Sequence, residues 1–214
     1  MENEIKGYRL ETCFSSAGCP NQAVNSHDLI QQIEKQLSKR NLKSFLKERV
    51  KGPLKIHHEF VVSVSDCPNA CSRPQIVDIG LIGSRKPEVS EESCSHCRAC
   101  VEICQEKALM ISIEDNSPNI DFNHCLSCGQ CLKVCPTGTL YGSALGYRIL
   151  VGGKLGRHPQ LGKELPGIYS IEDTLKTVGW YLDYYQRHNR EGERLGEIIN
   201  REKMEISDKK ESIR

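Results

Sequence analysis

Twelve cysteines constrain this 214-residue chain more than any other feature of its sequence. Eight of them form an internal repeat, because adding 31 to the position of each of the first four gives the second four. The repeat consists of Cys94, Cys97, Cys100, Cys104, Cys125, Cys128, Cys131 and Cys135. The N-terminal segment has no apolar export signal, so we expect a cytoplasmic protein whose thiols stay reduced. Regular spacing of reduced cysteines favours metal ligation over a disulfide framework.

The remaining composition is that of an ordinary globular protein. Lys and Arg number 29 against 28 Asp and Glu, and the sequence pI is about 7.5. No overall field therefore favours nucleic acid or an anionic membrane. No stretch approaches the roughly 18 uninterrupted apolar residues of a membrane span. We expect neither a nucleic-acid partner nor a membrane-spanning segment.

Each half of the repeat has the spacing C-x2-C-x2-C-x3-C. At this spacing three thiolates hold one [4Fe–4S] cube and the fourth ligates the neighbouring cube. The predicted ligand sets are Cys94, Cys97, Cys100 and Cys135 for the first cluster, and Cys125, Cys128, Cys131 and Cys104 for the second. Pro136 follows Cys135 as in the bacterial pattern, whereas Gln105 follows Cys104, a departure that removes no ligand. Zinc is the alternative, since C-x2-C pairs also bind zinc, but a duplicated four-cysteine run favours clusters.

Residues 90–140 resemble a bacterial two-cluster ferredoxin on the strength of this repeat. The resemblance implies an inserted module with the element order βαββαβ. We place the insert at residues 89–141, between two parts of one domain at 1–88 and 142–202, with a tail at 203–214.

The flanking segments predict both strands and helices. Apolar alternation in 60–64 and the apolar runs 76–82 and 147–151 indicate strands. Residues 28–50 indicate a helical run. Ser170, followed three residues later by an acid, is a candidate helix N-cap.

The other four cysteines form a C-x5-C motif, Cys13 and Cys19, and a C-x3-C motif, Cys67 and Cys71. Four thiolates from two distant loops close one cube if the fold brings the loops together. With these motifs the sequence resembles the sulfite and nitrite reductase family, whose cube is held by C-x5-C and C-x3-C. The segment CPNACSRPQIVDIGLIG resembles the family's CPN-x-C segment and following strand, and RILVGGKLGRHPQL resembles its Gly-rich cofactor loop.

The resemblance implies an α+β sulfite/nitrite reductase-like half-domain that binds sirohaem and a third [4Fe–4S] cluster, with the ferredoxin-like module inserted. It implies that Cys71 bridges the cube and the sirohaem iron. Sirohaem has eight carboxylates and therefore needs cationic and backbone N–H donors. The cofactor-binding residues implied are Asn69, Gly152, Gly153, Lys154, Arg157 and His158.

The substrate side departs from the family's pattern. Family members that reduce sulfite have lysines at alternate positions of the strand before CPN-x-C, where this chain has Glu59 and Val61. We expect an unpaired carboxylate there to repel a dianion, and lysines at both positions to favour it. Arg9 and His58 are the remaining candidates for a cation and a proton donor, so the predicted catalytic residues are Cys71, Arg9 and His58.

Two functions remain open from the sequence. The first is a sirohaem-dependent reductase that receives electrons from a ferredoxin or flavoprotein and reduces a small oxyanion such as sulfite. The second is an iron–sulfur electron-transfer subunit without sirohaem that feeds a partner enzyme. Because only twelve residues precede Cys13, we expect a homo-oligomer or a second subunit to cover the cofactor.

Overall fold

The apolar runs of the sequence form one mixed sheet with a helical layer on one face. The computed structural model describes residues 5–14, 18–112 and 116–205. Its strands are β1 (Tyr8–Thr12), β2 (Phe60–Ser65), β3 (Ile79–Val89), β4 (Leu109–Ser112), β5 (Ser117–Ile120), β6 (Leu140–Val151) and β7 (Lys163–Glu164). Its helices are α1 (His27–Ser38), α2 (Leu42–Arg49), α3 (Ala99–Ile103), α4 (Gln130–Val134), α5 (Ile171–His188) and α6 (Leu195–Arg201). This mixture agrees with the predicted α+β class.

The five-stranded sheet has the order β1-β2-β3-β6-β7. Strands β1, β2 and β3 are parallel, and β6 then pairs antiparallel with both β3 and β7. Because β1 and β2 are parallel neighbours, the residues that follow their carboxyl ends lie at the same edge of the sheet. The sequence places Cys13 directly after β1 and Cys67 two residues after β2.

All six residues of β2 are buried, because both faces of the strand are covered. Phe60, Val62 and Val64 belong to the main apolar core, which also contains residues of α1, α2, α5 and α6. On the opposite face the Ser63 hydroxyl donates to the carbonyl of Ser72 at 2.7 Å. The segment that follows Cys71 therefore runs back beneath the sheet.

The predicted helical run at 28–50 is two helices. Asn41, between α1 and α2, has φ of 48°, a left-handed conformation that asparagine tolerates better than most residues. The Ser170 N-cap is confirmed, since its hydroxyl accepts a hydrogen bond from the Asp173 N–H at 3.1 Å. Among the described residues no helix is both long and apolar enough to cross a membrane.

The insert has the order β3-α3-β4-β5-α4-β6, which is the βαββαβ order expected of it. β4 and β5 form a separate antiparallel hairpin, while the distal half of β3 pairs with the first half of β6. The predicted boundaries at 89 and 141 fall at the end of β3 and near the start of β6. The insert and the flanking domain are therefore joined by the long antiparallel pair of β3 and β6. The division into domains stays a prediction, and the tail beyond 205 lies outside the described residues.

Candidate metal centres and cofactor site

The two halves of the cysteine repeat have the same backbone path. His96 and Ser127, which are 31 residues apart, both have φ of 57°, and the next repeat-related pair, Arg98 and Gly129, has φ of 61° and 71°. Left-handed residues turn successive backbone N–H groups toward a common point. The His96 N–H accordingly donates to the Cys94 sulfur at 3.4 Å. Both loops are therefore shaped to present amide donors to thiolates.

The fourth cysteine of each half lies with the other half. The pKa of the Cys131 thiol is raised to about 12, mainly by burial and also by neighbouring thiols that include Cys128, Cys125 and Cys104. Burial also raises the pKa of Cys100, whose thiol neighbours are Cys135 and Cys94. The structure thus places Cys104 beside the second half and Cys135 beside the first, the exchange that the spacing predicts.

The third group of thiols forms at the carboxyl edge of β1 and β2. The Asp66 N–H donates to the Cys13 sulfur at 3.3 Å, which connects the ends of the two strands. Burial raises the pKa of the Cys67 thiol, and the nearby thiols of Cys19, Cys71 and Cys13 raise it further. Four cysteines from two distant loops therefore meet, as a four-thiolate cluster site requires.

Each of the three groups supplies four thiols, the donor set of one [4Fe–4S] cube. Within residues 5–14, 18–112 and 116–205, no three His, Cys, Asp or Glu side chains converge on a single-ion position. A zinc ion holds each sulfur at about 2.3 Å from one centre. A cube is bound at its corners, so its four thiolates stand farther apart. The preference for clusters over zinc therefore rests on the duplicated C-x2-C-x2-C-x3-C spacing and the family's C-x5-C and C-x3-C motifs.

A cavity lies between the insert and the third cysteine group. It is lined on one side by Cys67, Pro68 and Asn69 and on the other by Cys104, Cys125, Cys128 and Cys131. Asn69, which the resemblance places against sirohaem, is exposed and lines this cavity.

The Gly-rich loop forms a hairpin that is fixed beside the segment following Cys71. The backbones of Lys154 and Gln160 bond each other twice at 3.0 Å, and the Gly162 N–H donates to the Gln75 carbonyl at 2.7 Å. A Cβ on Gly153 would lie 2.5 Å from that same carbonyl oxygen. The structure therefore brings the Gly-rich loop against the chain four residues beyond Cys71.

The predicted cofactor residues of this hairpin divide into two kinds. Arg157 and His158 are exposed near its tip, whereas Lys154 is buried and its ammonium lies 2.5 Å from the Glu197 carboxylate. Gly152, with φ of 78°, packs against α6, where its Cβ would lie 3.1 Å from the Cα of Gly196. The exposed pair is available to an anionic ligand, and the buried residues shape the hairpin.

The other predicted catalytic residues are engaged elsewhere in the fold. Arg9 lies at the amino end of β1, about 13 Å along the strand from Cys13 at 3.3 Å per residue, and its guanidinium contacts Glu11 at 3.0 Å and Glu59 at 3.5 Å. The His58 ring accepts the Lys55 N–H at 3.0 Å, and burial, His57 and Lys55 lower its pKa. Both side chains therefore have structural partners at the amino ends of the strands.

Glu59 corrects an expectation from the sequence. The carboxylate is buried, accepts the backbone N–H groups of Lys6 at 2.9 Å and Gly7 at 3.2 Å, and lies beside Arg9. The Glu59 carboxylate is therefore paired, and the prediction of an unpaired, repulsive carboxylate at this position is wrong. Val61 is also buried, and its N–H donates to Asp78 at 2.8 Å.

Two residues near the thiols were missed by the sequence reasoning. Asp66 is buried directly before Cys67, where its carboxylate accepts from the Gln22 amide at 2.8 Å. Lys133 lies between two cysteines of the repeat and donates to two backbone carbonyls near Cys19. The available signal was a reversal of charge within the repeat, since the residue 31 positions before Lys133 is the acid Glu102.

The comparison with known families decides the classification of this chain. Residues 8–205 match the family described as "Nitrite and sulphite reductase 4Fe-4S domain". The chain belongs to this family. Membership accounts for the third group of thiols, Cys13, Cys19, Cys67 and Cys71, which we call the reductase-type group. It also supports an iron–sulfur cluster in the protein.

Relatives within and around the nitrite and sulphite reductase family agree with this classification. The chain is 36% identical over 146 residues to the coenzyme F420-dependent sulfite reductase of Methanocaldococcus jannaschii, covering 67% of this chain and 23% of that protein. It is 37% identical over 43 residues to one subunit of the anaerobic sulfite reductase of Salmonella typhimurium, covering 20% of this chain and 13% of that one. The crystal structure of dissimilatory sulfite reductase I has the same fold, with a TM-score of 0.57, 18% identity, and coverage of 90% of this chain and 49% of that one. The chain thus spans less than half the length of each.

Proposed function

We propose that this chain is the sirohaem- and cluster-binding unit of a reductase for a small oxyanion such as sulfite or nitrite. The observation that carries the proposal is the contact between the Gly-rich hairpin and the segment after Cys71, through Gly162 and Gln75. Cys71 is exposed while Cys67 of the same motif is buried. An exposed thiolate at the rim of a cluster site is the one able to reach a second metal group outside it.

The chain's own residues suit an anionic macrocycle on this face. Arg157 and His158 are exposed on the hairpin, and Arg73 is exposed two residues after Cys71. Charge-assisted hydrogen bonds from such donors are the strong way to bind carboxylates. Lys154 supports the hairpin through Glu197 and would contribute to the shape of the site.

The bound groups would supply the redox chemistry. Reduction of sulfite to sulfide or of nitrite to ammonia takes six electrons, which one-electron centres deliver in sequence. The protein would contribute thiolate ligands, the donors that hold the macrocycle, and an arrangement of twelve cysteines in three groups. A relative named coenzyme F420-dependent sulfite reductase supports sulfite as the first substrate to assay.

Partners are part of the same proposal. One relative is named as a subunit of an anaerobic sulfite reductase, which supports assembly with further chains. We propose a ferredoxin or flavoprotein as electron donor, and either a second copy or another subunit to cover the macrocycle.

A second function has its own supporting observation. Two of the predicted cations are already paired, Arg9 with Glu11 and Glu59, and Lys154 with Glu197. An iron–sulfur electron-transfer subunit without sirohaem needs no free cation at this place.

The visible spectrum of anaerobically purified protein separates the two functions. Sirohaem adds Soret and red bands that cubane clusters lack, so we expect both bands in the proposed reductase. Cys71→Ser is expected to abolish sulfite reduction and disturb the haem bands. Cys97→Ser, in the first cysteine set of the insert, is expected to slow electron delivery and leave the haem bands unchanged. Three clusters without haem bands, even after reconstitution with sirohaem, would favour the electron-transfer subunit.

A further inference from the structure

The second half of the cysteine repeat, residues 125–135, contacts the part of the chain outside the insert, residues 1–88 and 142–202. The Arg85 N–H of β3 donates to the Ser127 carbonyl at 2.7 Å, within the loop that holds Cys125 and Cys128. A Cβ on Gly129 would lie 3.0 Å from the Cβ of Arg85, so the loop packs closely on that strand. The second cysteine loop is therefore bound to the central sheet by its backbone.

Lys133 makes the second connection. Its ammonium donates to the carbonyls of Pro20 at 3.0 Å and Gln22 at 2.9 Å. Pro20 directly follows Cys19, a cysteine of the reductase-type group, and Lys133 stands between Cys131 and Cys135 on the short helix α4. One side chain thus joins the loops of two different cysteine groups.

The internal repeat supplies a comparison inside the same molecule. Glu102 is the repeat equivalent of Lys133, and both side chains are exposed on their short helices. An acid at that position could not donate to carbonyls. Cys97 of the first half is also exposed, whereas the cavity toward Cys67 is lined by the second-half cysteines Cys125, Cys128 and Cys131. The two halves therefore have different surroundings despite their shared backbone path.

We propose that Lys133 is a positioning residue that fixes the second set, Cys104, Cys125, Cys128 and Cys131, beside the reductase-type group. Electrons then enter at the first set, Cys94, Cys97, Cys100 and Cys135. They pass from it to the second set and from the second set to the reductase-type group. The inference deepens the proposed function and depends on it only for the presence of the clusters. Each step moves one electron, so the donor set is oxidised as the acceptor set is reduced, and no bond or proton changes place.

The experiment measures magnetic coupling between clusters in the full chain, loaded anaerobically and reduced with dithionite. Dipolar broadening of the electron paramagnetic resonance signal of the reductase-type cluster is expected in the unchanged protein. Cys97→Ser, which alters the first set, should leave that broadening in place. Cys128→Ser, which alters the second set, should remove it. The opposite pattern would overturn the order of the sets.

Lys133→Met tests the connection without touching a ligand. Loss of two charge-assisted hydrogen bonds should raise the ratio of separated to docked loops about tenfold. We expect a weaker, heterogeneous coupling and an up to tenfold slower appearance of the reduced reductase-type cluster after mixing with reductant. Lys133→Arg, which keeps the donors, should retain the coupling.

Lys107→Met is the matched control, since Lys107 is an exposed lysine elsewhere in the insert. It should behave as the unchanged protein. Coupling in Lys133→Met equal to that in the control would show that Lys133 does not position the sets. Because coupling needs neither sirohaem nor turnover, missing haem bands would reject the proposed reductase and leave this inference standing. Absent coupling in a chain with three loaded clusters would reject the inference alone.

Discussion

The Asp78 carboxylate binds the Arg194 guanidinium through two contacts, Oδ1 with Nε at 3.0 Å and Oδ2 with Nη2 at 2.5 Å. Asp78 is fully buried and also accepts the N–H groups of Val61 at 2.8 Å and Leu195 at 3.2 Å. Burial acts to lower the pKa of Arg194, but the neighbouring Asp78 raises it above its ordinary value. One ion pair therefore connects β2, the start of β3 and the first turn of α6.

Removing one partner of this pair should be costly. Arg194→Leu leaves a buried carboxylate without its counter-ion, and we expect a loss of about 3–5 kcal/mol in the free energy of unfolding. Chemical denaturation of the anaerobic protein, followed by circular dichroism, measures it. The control is Lys51→Met, which breaks the exposed Lys51–Glu191 pair and should cost less than about 1 kcal/mol. Equal losses in the two variants would contradict the structural role of Asp78.

Glu59 provides a second stability prediction and reverses one from the sequence. Lysine at position 59 would face the N–H groups of Lys6 and Gly7 with a donor instead of an acceptor, beside Arg9. We expect Glu59→Lys to destabilise the protein by about 3 kcal/mol or more, without improving the KM for sulfite.

Glu59→Gln is the control, because it keeps one acceptor oxygen and should cost less than half as much. Denaturation midpoints of both variants give the comparison. A stable Glu59→Lys protein with a lowered KM would restore the interpretation that this position faces the substrate.

The sequence predicted features that depend on short spacings and missed those that depend on distant contacts. Ser170 as an N-cap and the exchange of Cys104 and Cys135 follow from fixed intervals along the chain. The break at Asn41 was missed, although the buried positions Leu37 and Leu42 on either side of it stand five residues apart instead of the helical three or four. The roles of Glu59 and Lys133 were missed because their partners are the backbones of Gly7 and Pro20, far away in sequence. A resemblance assigns residues by position and does not report which charges the fold has already paired.

Tyr147 gives a pH-dependent prediction. Its hydroxyl donates to Ser26 at 2.9 Å, and burial, assisted by nearby Asp66, raises the pKa of Tyr147 to about 12. Because the folded pKa exceeds the ordinary value of about 10, its contribution to stability is complete below pH 10 and declines as pH rises toward 12. Tyr147→Phe should cost about 1 kcal/mol at pH 7 through the lost bond and make stability fall less steeply between pH 10 and 12. An unchanged alkaline slope, measured by denaturation at several pH values, would contradict this.

Metal content tests the three cysteine groups directly. Three cubes require about twelve irons and twelve sulfides per chain, with one further iron if sirohaem is bound. Iron and sulfide analysis of anaerobically purified protein provides the count. Iron near eight per chain would remove one of the proposed clusters and iron near four would remove two, and stoichiometric zinc would replace the ferredoxin-like interpretation of the insert.

The last prediction concerns the hairpin on which the proposed function depends. A methyl group on Gly153 would meet three backbone atoms, the Gln75 oxygen at 2.5 Å and the Val77 oxygen and nitrogen at 2.8 and 2.9 Å. Backbone atoms at these distances cannot move aside as a flexible side chain can, so Gly153→Ala should displace the hairpin at a cost of about 1–3 kcal/mol. Haem bands should weaken in this variant while the iron and sulfide of the clusters stay unchanged.

Gly179→Ala is the matched control, a glycine-to-alanine substitution at a position where the added methyl group has space. Gly179 lies within α5, and its nearest added contact is the Gln36 side-chain oxygen at 3.4 Å. Alanine in a helix interior should stabilise the protein by about 0.5–1 kcal/mol and leave haem binding unaffected. Because the Gln75 backbone is so close to Gly153, the hairpin can accept the added methyl group only by moving. If Gly153→Ala nevertheless keeps full haem bands after reconstitution, the hairpin does not shape the macrocycle site.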